Sequence, residues 1–498
     1  MVEMITNVNS AVNSFVWGVP MLVLLVGTGI LMTALTKFFQ LTHIKHWFKN
    51  TIGGIFHDEH ITKHTAKEDQ SISQFQSLCT ALAATIGTGN IVGVASALIA
   101  GGPGAIFWMW IVAFFGMMTN YSENVLGIYY RRKNERDEWC GGAMYYLKDG
   151  LGSYKGFRQI GAVLAVLFSI FCVMASFGIG NMSQINSISG NMKSAFGIPT
   201  YVTGIALLIL AALVIVGGLK RIASVTEKLV PFMAIIYVVG ALVVFLMNID
   251  QCGAIFSAIF KGAFGLRAVG GGIVGSGVKM ALTWGMKRGV FSNEAGLGSS
   301  VMVHSSSNVR EPVRQGMWGI FEVFADTIIV CTLTAFAVLS SGLVDLETGA
   351  VLSTSEGSAL VGEAFATKFG SIGPMFIAIA ILLFAFSTVL GWSHYGSKAW
   401  EYLFGTKSMM IYKVVFVLMI YVGATMNLGL AWDLSDTFNG LMAIPNLIGV
   451  ISLSPVVLHI TQNYVARALK KENVKPMLSA FEDIQKMQEK ELAKTNEG

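Results

Sequence analysis

The most restrictive feature of the sequence is a run of 53 residues, between Asp69 and Glu123, that contains no Asp, Glu, Lys or Arg. A second such run of 34 residues lies between Arg158 and Lys193. Soluble domains have about 25% charged residues, whereas this chain of 498 residues has 13% and is 54% hydrophobic. Because a helix crosses the bilayer core with about 20 apolar residues, the sequence predicts an all-α polytopic membrane protein.

Other classes of protein fit the composition poorly. The apolar runs are continuous, whereas strands of a membrane barrel alternate over about ten residues. The net charge of +5 is spread over loops and forms no patch for nucleic acid. The five cysteines include no CxxC pair, so we expect neither a disulfide framework nor a metal site. The start has no basic segment typical of a cleaved signal peptide, so the first helix is expected to stay.

Hydropathy places about eleven transmembrane helices along the chain. They are predicted near 15–36, 75–99, 105–129, 159–184, 199–217, 229–247, 270–300, 316–340, 372–395, 410–428 and 438–461.

The distribution of Lys and Arg predicts the orientation. With the N-terminus outside, the inner segments carry 26 Lys and Arg and the outer segments carry 4, among them Lys193 and Arg267. Positive residues mark cytoplasmic loops, so we expect an external N-terminus, a cytoplasmic C-terminus and a place in the cell (plasma or inner) membrane. The charged tail, 462–498, is expected to form either an amphipathic helix, with Met477 and Phe481 on its apolar side, or a solvated segment.

The helix count suggests an internal repeat. Residues 1–74 form an N-terminal transmembrane helix and a basic cytoplasmic loop, which leaves two sets of five helices over 75–247 and 270–461. Because five is odd, the second set enters the membrane from the opposite face, as in transporters built from inverted repeats. In such transporters the first helix of each repeat is often broken near the middle of the membrane.

Both of those leading helices contain clusters of glycine and small polar residues. The first cluster covers 83–93 and the second covers 289–300. Glycine weakens a helix by about 1 kcal/mol relative to alanine, and Thr, Ser and Asn offer other partners to the backbone. Close packing of small residues between helices is the alternative explanation. Since unwound backbone in a membrane is tolerated where it lines a cavity, the paired clusters predict a binding site.

The ligand follows from what the first cluster lacks. No side chain over 70–122 carries a full charge, so backbone amides at Thr88, Gly89 and Asn90 would have to meet a carboxylate. Carbonyl groups of Ala83 and Ile86, and those of 291–295, would suit a small cation or an ammonium group. These features together predict a small amino acid bound with a cation.

The segment GGPGAIFWMW at 101–110, continuing to Gly116, resembles the signature of the alanine or glycine:cation symporter family. Residues 84–90 and 292–299 are similar to that family too, and the resemblance covers nearly the whole chain. An interfacial turn with aromatic residues would explain the residue types but not their order. The resemblance implies a leucine-transporter-like fold with one extra N-terminal helix, and Na⁺-coupled import of alanine or glycine. Some relatives prefer glutamine, and some are thought able to use H⁺.

The resemblance also implies site residues. It implies that Gly87, Thr88, Gly89 and Asn90 bind the substrate carboxylate. Position in the predicted helices adds Phe291, Ser292 and Asn293 from the second cluster, Thr388, and Trp392 one turn after it, for which packing is the alternative. On the third predicted helix of the first set, Phe171 and Met174 are expected as limits on substrate size or as packing residues. The expected Na⁺ ligands are the carbonyls of Ala83 and Ile86 together with Ser387 and Thr388 in the segment from Phe384 to Thr388. Hydroxyls that bond to their own helix are the alternative for the last two.

Five charged residues in the predicted spans need a partner or water. They are Lys287, Arg288, Glu294, Glu322 and Asp326. Neutralisation at an inner gate, for example of Lys287 or Arg288 by Glu322 or Asp326, is one interpretation, and a proton or cation relay through Glu294 or Glu322 is another. His304 and His394 have no evident partner in the sequence.

The sequence therefore predicts a symporter that works by alternating access on an amino acid and Na⁺ within lipid, as a monomer and without a cofactor. No phosphate-binding GxxxxGK[ST] motif is present. A passive channel is the alternative from another class. An enzyme is not expected, because the chain lacks HExxH and GxSxG.

Overall fold

The computed structural model describes residues 2–66, 69–265, 274–426 and 429–495. Some of the predictions fall outside these ranges. They concern the start of the helix predicted from 270, Arg267, the end of the helix predicted over 410–428, and residues 496–498 of the tail. Within them the chain is helical apart from a small hairpin, in which β1 (Arg132–Lys133) pairs antiparallel with β2 (Trp139–Cys140).

The helices of the first half are α1 Val2–Val16, α2 Val19–Leu35, α3 Phe39–Thr42, α4 Ile44–Asn50, α5 Ile52–Ile55, α6 Glu59–Thr62, α7 Gln74–Thr85, α8 Val92–Gly101, α9 Gly104–Tyr129, α10 Ala143–Tyr145, α11 Arg158–Phe177, α12 Ser183–Phe196, α13 Thr200–Ile215, α14 Gly218–Leu246 and α15 Cys252–Phe264. Those of the second half are α16 Val274–Asn293, α17 Val301–His304, α18 Pro312–Val323, α19 Thr332–Leu339, α20 Gly357–Phe369, α21 Ile372–Phe404, α22 Met409–Thr425, α23 Gly429–Ser452, α24 Ser454–Tyr464 and α25 Glu482–Thr495. Turns of 3-10 helix lie at Thr88–Asn90, Leu151–Ser153, Ile249–Gln251 and Thr406–Ser408, and π-helical segments at Tyr146–Gly150, Gly178–Met182, Phe324–Cys331 and Val465–Leu469.

The fold confirms a helical, multi-pass membrane protein. Among the described residues, seven helices or continuous helix runs are long and apolar enough to span a membrane. Two bent pairs, α7 with α8 (58°) and α23 with α24 (57°), bring the number to nine if each is one span. The count of eleven and the two inverted repeats remain predictions.

Two spans extend further than hydropathy predicts. The helix predicted over 159–184 continues through α12 to Phe196, because its polar residues find acceptors on α22: Asn186 Nδ2 donates to the carbonyl of Gly423 across 3.1 Å. Helix α14 begins at Gly218, eleven residues before the predicted start at 229. Its first turns carry Lys220 and Arg221, whose side chains donate to the carbonyls of Ala66 at 3.0 Å and Leu213 at 2.9 Å.

The N-terminal segment differs from the single helix predicted over 15–36. It forms two helices, α1 and α2, with a break at Gly18 before Pro20, a residue suited to the first turn of a helix. One polar side chain of α1 is partnered by α23, since Asn13 Nδ2 donates to Asp436 Oδ2 at 3.1 Å.

The long helix α9 lies at the centre of the molecule, where it packs against α16 and α18. Helix α7 packs against α14 and α21. Large side chains such as Trp318, Tyr121 and Tyr237 are fully buried among these helices. This packing holds α7, α8 and α16, the helices that carry the glycine clusters, inside the bundle.

The ends of α7 and α17 are joined through their backbones. Ile72 N donates to the carbonyl of Ser306 at 3.1 Å, and Asn308 N donates to the carbonyl of Ile72 at 2.8 Å. A capping box between Ser73 and Gln76 then starts α7. Buried Arg131 donates to the carbonyls of Ser305, Ser307 and Val309, so the same loop is held from the other side.

Of the two alternatives for the tail, the structure shows a helix docked on the protein. The amide of Ala480 donates to the carbonyl of Tyr129 at 2.9 Å, and Arg132 lies 3.9 Å over the Phe481 ring. Helix α25 follows these contacts.

Candidate functional site

The first glycine cluster is a break in the helix. Helix α7 ends at Thr85, a 3-10 turn covers Thr88–Asn90, and α8 leaves at an angle of 58°. Asn90 supplies a hydrogen-bond acceptor in place of a helix carbonyl, because its Oδ1 accepts the amide hydrogen of Gly87 at 2.9 Å. The amide of Thr88 donates to Gln184 Oε1 at 3.4 Å.

The second break begins at Glu294, directly after α16. Glu294 (φ 57°), Gly296 (φ 94°) and Gly298 (φ 73°) all adopt left-handed backbone, which stops a right-handed helix. Asn293 Oδ1 accepts the amide hydrogen of Ala295 at 3.0 Å. The break therefore covers the stretch between Asn293 and Val301, in the C-terminal part of the predicted cluster.

Asp326 connects the two breaks. It lies in the π-helical segment Phe324–Cys331, where the wider turn directs its carboxylate inward. Asn90 Nδ2 donates to Asp326 Oδ1 at 2.6 Å, and Ser292 Oγ donates to Asp326 Oδ2 at 2.7 Å. Thr327 Oγ1 donates to Oδ2 as well, at 2.8 Å. One carboxylate thus fixes a side chain from each broken helix.

The breaks also touch each other directly. A Cβ atom built on Gly89 would lie 3.2 Å from Phe291 Cδ1 and 3.3 Å from Ser292 Cα. Only a residue without a side chain allows this close approach of two backbones.

A small cavity lies between the breaks. Its lining includes Gly87, Thr88, Gly89, Phe291, Glu294, Thr388 and Trp392, together with Gln184 and Asn439. The free space among them is about 20 Å³, enough for one water molecule. We call this space the substrate cavity, after the residues that the sequence predicts to bind substrate.

Sequence reasoning missed Gln184 and Asn439. Asn439 is 2% exposed, and its Oδ1 has no hydrogen-bond partner among the described residues. Gln184 interrupts the apolar segment after Arg158, and Asn439 lies in a helix predicted from 438. Polar residues in a span are a signal for a ligand, and that signal was present at both positions.

Trp392 and Glu294 form one wall of the substrate cavity. The indole Nε1 of Trp392 donates to Glu294 Oε1 at 2.9 Å, and Ser299 Oγ donates to Oε2 at 2.5 Å. Glu294 is 3% exposed. A carboxylate in the wall can attract an ammonium group, and the hydrogen bond fixes the orientation of the indole.

Four of the oxygen atoms predicted to bind Na⁺ lie close together, in Ala83, Phe384, Ser387 and Thr388. Ser387 Oγ lies 3.2 Å from the carbonyl oxygen of Ala83 and 2.8 Å from that of Phe384. Thr388 Oγ1 donates to the carbonyl of Phe384 at 3.0 Å and lies next to Gly87. Ile86 is buried at the end of α7. This set fits a hard cation, since it offers neutral oxygen ligands.

The charged residues pair differently from the prediction. Lys287 Nζ forms an ion pair with Asp436 Oδ2 at 2.9 Å, and Arg288 lies 5.7 Å over the Phe291 ring. Neither cation pairs with Glu322 or Asp326, because α16 turns Lys287 toward α23 and Arg288 toward the Phe291 ring. The predicted neutralisation is therefore wrong.

His304 has a partner that sequence reasoning did not find. Its Nε2 lies 2.9 Å from Glu322 Oε2, and its Nδ1 lies 2.5 Å from Gln315 Nε2. All three side chains are fully buried. Residues on α17 and α18 meet here because the loop between them reverses the chain.

Phe171 and Met174 lie outside the substrate cavity. Phe171 packs on Phe438, with ring centroids 6.2 Å apart, and Met174 is 45% exposed. Helix α11 presents Cys172, Val173 and Ala175 to the interior instead. The structure thus gives neither side chain a contact that could limit substrate size.

A larger cavity, which we call the vestibule, borders another part of α16. It has a volume of about 930 Å³ and is lined by residues of α8, α12, α16 and α20, including Trp284 and Arg288. Arg288 belongs to the vestibule and Phe291 to the substrate cavity, so this one turn of α16 separates them.

Comparisons with known proteins agree with this architecture. The profile of the sodium:alanine symporter family matches residues 2–479. A sodium/alanine symporter from Methanococcus maripaludis is 45% identical over 462 residues, which cover 91% of this chain and 96% of the relative. A probable sodium/glutamine symporter from Bacillus subtilis is 35% identical over 488 residues, covering 98% and 95%.

Among solved structures, a mutant of the manganese transporter of Eremococcus coleocola aligns with a TM-score of 0.50 and 13% identity over 88% of each chain. At that identity the likeness concerns the fold, which is the leucine-transporter-like fold that the sequence predicts. With a family profile that covers almost the whole length and a relative at 45% identity, the chain belongs to the sodium:alanine symporter family of membrane transporters.

Proposed function

We propose that this protein imports a small neutral amino acid, alanine first and glycine second, together with Na⁺ by alternating access. The observation that carries the proposal is the joining of both helix breaks by Asp326 around a cavity that also contains Thr388 and Trp392. The sodium/alanine symporter of M. maripaludis supports the choice of alanine and of Na⁺.

The substrate would bind with its carboxylate at the first break. Backbone amides at Thr88 and Gly89 belong to the end of a half-helix, where the helix dipole favours an anion. The ammonium group would face Glu294 and the Oδ1 of Asn439, which otherwise has no partner among the described residues. Asn90 does not line the cavity, so it acts through Asp326 and Gly87 as a positioning residue.

Na⁺ would bind at the carbonyl oxygens of Ala83, Ile86 and Phe384 with the hydroxyls of Ser387 and Thr388. Because Thr388 also lines the substrate cavity, one side chain would contact both sites. An ion that orders Thr388 would prepare the cavity for substrate, which is a physical basis for coupling.

The electrochemical gradient of Na⁺ is sufficient to drive accumulation of the amino acid. A membrane potential of about 100 mV contributes about 2.3 kcal/mol per charge, and a tenfold Na⁺ gradient contributes about 1.4 kcal/mol. One Na⁺ moved with a neutral zwitterion would support an accumulation of about 500-fold.

Side-chain length is the basis for preferring alanine over glutamine. Trp392, Phe291 and Ile179 leave about 20 Å³ between them, so these walls must move to admit either amino acid, and glutamine requires the larger displacement. Glutamine is the competing substrate, because the chain is also similar to a probable sodium/glutamine symporter of B. subtilis. Coupling to H⁺ in place of Na⁺ and passive conduction through a channel are the two mechanisms that compete with Na⁺ symport.

The deciding experiment is radiolabelled alanine uptake into proteoliposomes under an inward Na⁺ gradient, an equal K⁺ gradient, or a pH gradient, with unlabelled glycine and glutamine as competitors. Accumulation above equilibrium with Na⁺ alone supports the proposal. Uptake that stops at equilibrium with either cation would indicate a passive pore, and accumulation with the pH gradient would indicate H⁺ coupling.

In this proposal the N-terminus is outside and the vestibule is extracellular. The two inverted repeats are residues 75–247 and 270–461, and they lie between the N-terminal segment 1–74 and the tail 462–498. The two breaks, one in the leading helix of each set, support the division into repeats.

A further inference from the structure

A further cavity, separate from both the substrate cavity and the vestibule, lies where the β1–β2 hairpin meets α14, α21 and α22. Its volume is about 190 Å³, and it shares no lining residue with the substrate cavity. The charged residues in its wall are Arg136, Glu138, Lys220, Lys398 and Lys413. We call it the basic cavity.

Cations outnumber carboxylates in this wall. Lys398 Nζ is neutralised by Glu401 Oε2 at 2.9 Å and Glu138 Oε2 at 3.3 Å. Lys220 Nζ donates to the carbonyl of Ala66 at 3.0 Å, and a guanidinium nitrogen of Arg136 donates to the carbonyl of Thr406 at 3.2 Å. With Lys220 left out of the count, three cations (Arg136, Lys398 and Lys413) face two carboxylates among the described residues, Glu138 in the wall and Glu401 just behind it.

Lys413 has no direct ionic contact within the described part of the chain, although the Glu138 carboxylate is close enough to attract its charge. Its side chain is partly buried at the start of α22, and it makes neither a hydrogen bond nor an ion pair there. A partly buried ammonium group without a partner is costly, so its position favours an anion in the cavity.

His394 provides a second, independent observation. It is 4% exposed, lines the basic cavity, and its Nε2 atom has no hydrogen-bond partner in the described residues. Buried polar atoms are almost always satisfied. A protonated ligand oxygen can donate to this nitrogen, and a deprotonated one can accept from it when Nε2 carries the ring hydrogen.

We propose that the basic cavity binds an oxyanion of the phosphate class, either free phosphate or the phosphate headgroup of an anionic lipid. Lysine and arginine are the usual phosphate ligands, and a tetrahedral anion offers oxygens to several walls at once. The ligand would contact Lys413 and His394 and would lie beside Arg136.

Occupation of this cavity would restrain the transport cycle. Ser306 lines the cavity, and its carbonyl accepts the backbone hydrogen bond from Ile72 that joins α7 to the loop after α17. A bound anion therefore connects the inner ends of both broken helices to α21 and α22. We expect it to stabilise the closed state of that face.

The test measures thermal stability of the purified full-length transporter, because a ligand that binds the folded state raises its melting temperature. One arm titrates inorganic phosphate against chloride at equal ionic strength in detergent. The other compares nanodiscs of phosphatidylcholine with and without phosphatidic acid, in chloride. A saturable rise in the first arm identifies free phosphate, and a rise in the second arm alone identifies a lipid headgroup.

The variants are Lys413→Gln and His394→Gln, each expected to weaken binding at least about tenfold, and Lys413→Arg, expected to retain it. Lys407→Gln removes an exposed cation from the turn just before α22 and serves as the matched control. No rise for the unmodified protein in either arm overturns the proposal, whether or not the variants fold. An equal rise in the unmodified protein and in Lys413→Gln overturns it too.

Discussion

Asn90 and Asp326 are joined by a 2.6 Å hydrogen bond between side chains that lie 236 positions apart in the chain. Both are fully buried. The same asparagine accepts the amide hydrogen of Gly87, so the shape of the first break depends on a residue from the π-helical segment after α18. The geometry of the substrate cavity is therefore set by polar contacts between distant segments.

Replacement of Asn90 by alanine should greatly reduce transport. The change leaves Oδ1 of Asp326 and the Gly87 amide without the side-chain partner they now have, at a cost of about 1–3 kcal/mol for each buried group. We expect alanine uptake to fall at least about tenfold, with normal amounts of protein in the membrane. Asn50→Ala is the control, because Asn50 bonds to the carbonyl of His46 on its own helix. Unchanged uptake by Asn90→Ala would remove this residue from the site.

A methyl group at Gly89 should separate the two breaks. Its Cβ would lie 3.2 Å from Phe291 and 3.3 Å from Ser292 Cα, closer than ordinary packing allows, and such overpacking costs about 1–3 kcal/mol. We expect Gly89→Ala to raise the alanine concentration needed for half-maximal uptake about tenfold or more. Gly253→Ala, with no atom within 4 Å of the new Cβ, should transport normally. Equal behaviour of the two variants would contradict the close contact.

Loss of the Thr388 hydroxyl should raise the requirement for Na⁺. The variant Thr388→Ala removes one oxygen of the proposed ion site, and we expect about a tenfold higher Na⁺ concentration at half-maximal uptake, with a smaller effect at saturating Na⁺. Ser169→Ala is the matched control, since Ser169 bonds to its own helix at Ala165. A Na⁺ dependence like that of the unmodified protein would place the ion elsewhere.

The indole hydrogen bond of Trp392 is open to a conservative test. Trp392→Phe keeps an aromatic ring but removes the donor to Glu294, and a hydrogen bond to a charged group contributes about 1.5–3 kcal/mol. Apparent alanine affinity should fall about ten- to a hundredfold. Trp400→Phe removes a similar bond, 2.9 Å to Ser408 in the turn that follows the same helix, outside the substrate cavity. Equal effects of both changes would mean that the Trp392 bond is only structural.

The ion pair between Lys287 and Asp436 should contribute to stability. Its side chains are 17% and 10% exposed, so removal of one partner should cost more than the about 1 kcal/mol of a surface pair and less than the about 3–5 kcal/mol of a fully buried one. Lys287→Gln should therefore lower the melting temperature. The double variant Lys287→Gln, Asp436→Asn should recover part of the loss. A double variant with the summed loss of both single changes would show that the two charges do not interact.

Sequence reasoning found the helical membrane class and the position of the first break, because both depend on local composition. The charge-free run and the Gly87–Asn90 cluster can be recognised in the sequence without knowing which residues contact them. The second break was located only broadly, since Glu294 ends α16 through a left-handed backbone that a non-glycine residue seldom adopts.

Contacts between distant helices could not be derived from the sequence. Lys287 pairs with Asp436 across 149 positions, and nothing in the local pattern distinguishes Asp436 from Glu322 as its partner. Phe171 and Met174 were candidates by their position on the third predicted span of the first repeat, but the rotation of α11 about its axis decides which side chains face inward. Such rotations follow from packing of the whole bundle.

The backbone bridge between Ile72 and the loop after α17 has a consequence for motion. Helices α7 and α17, one beside each break, are joined by two hydrogen bonds at their ends, so neither helix can tilt alone without losing both. We expect the two helices to tilt together as one rigid unit, with the non-helical stretches at Gly87 and Gly296 as its hinges. Opening toward one side of the membrane would then release both halves of the binding site in the same step.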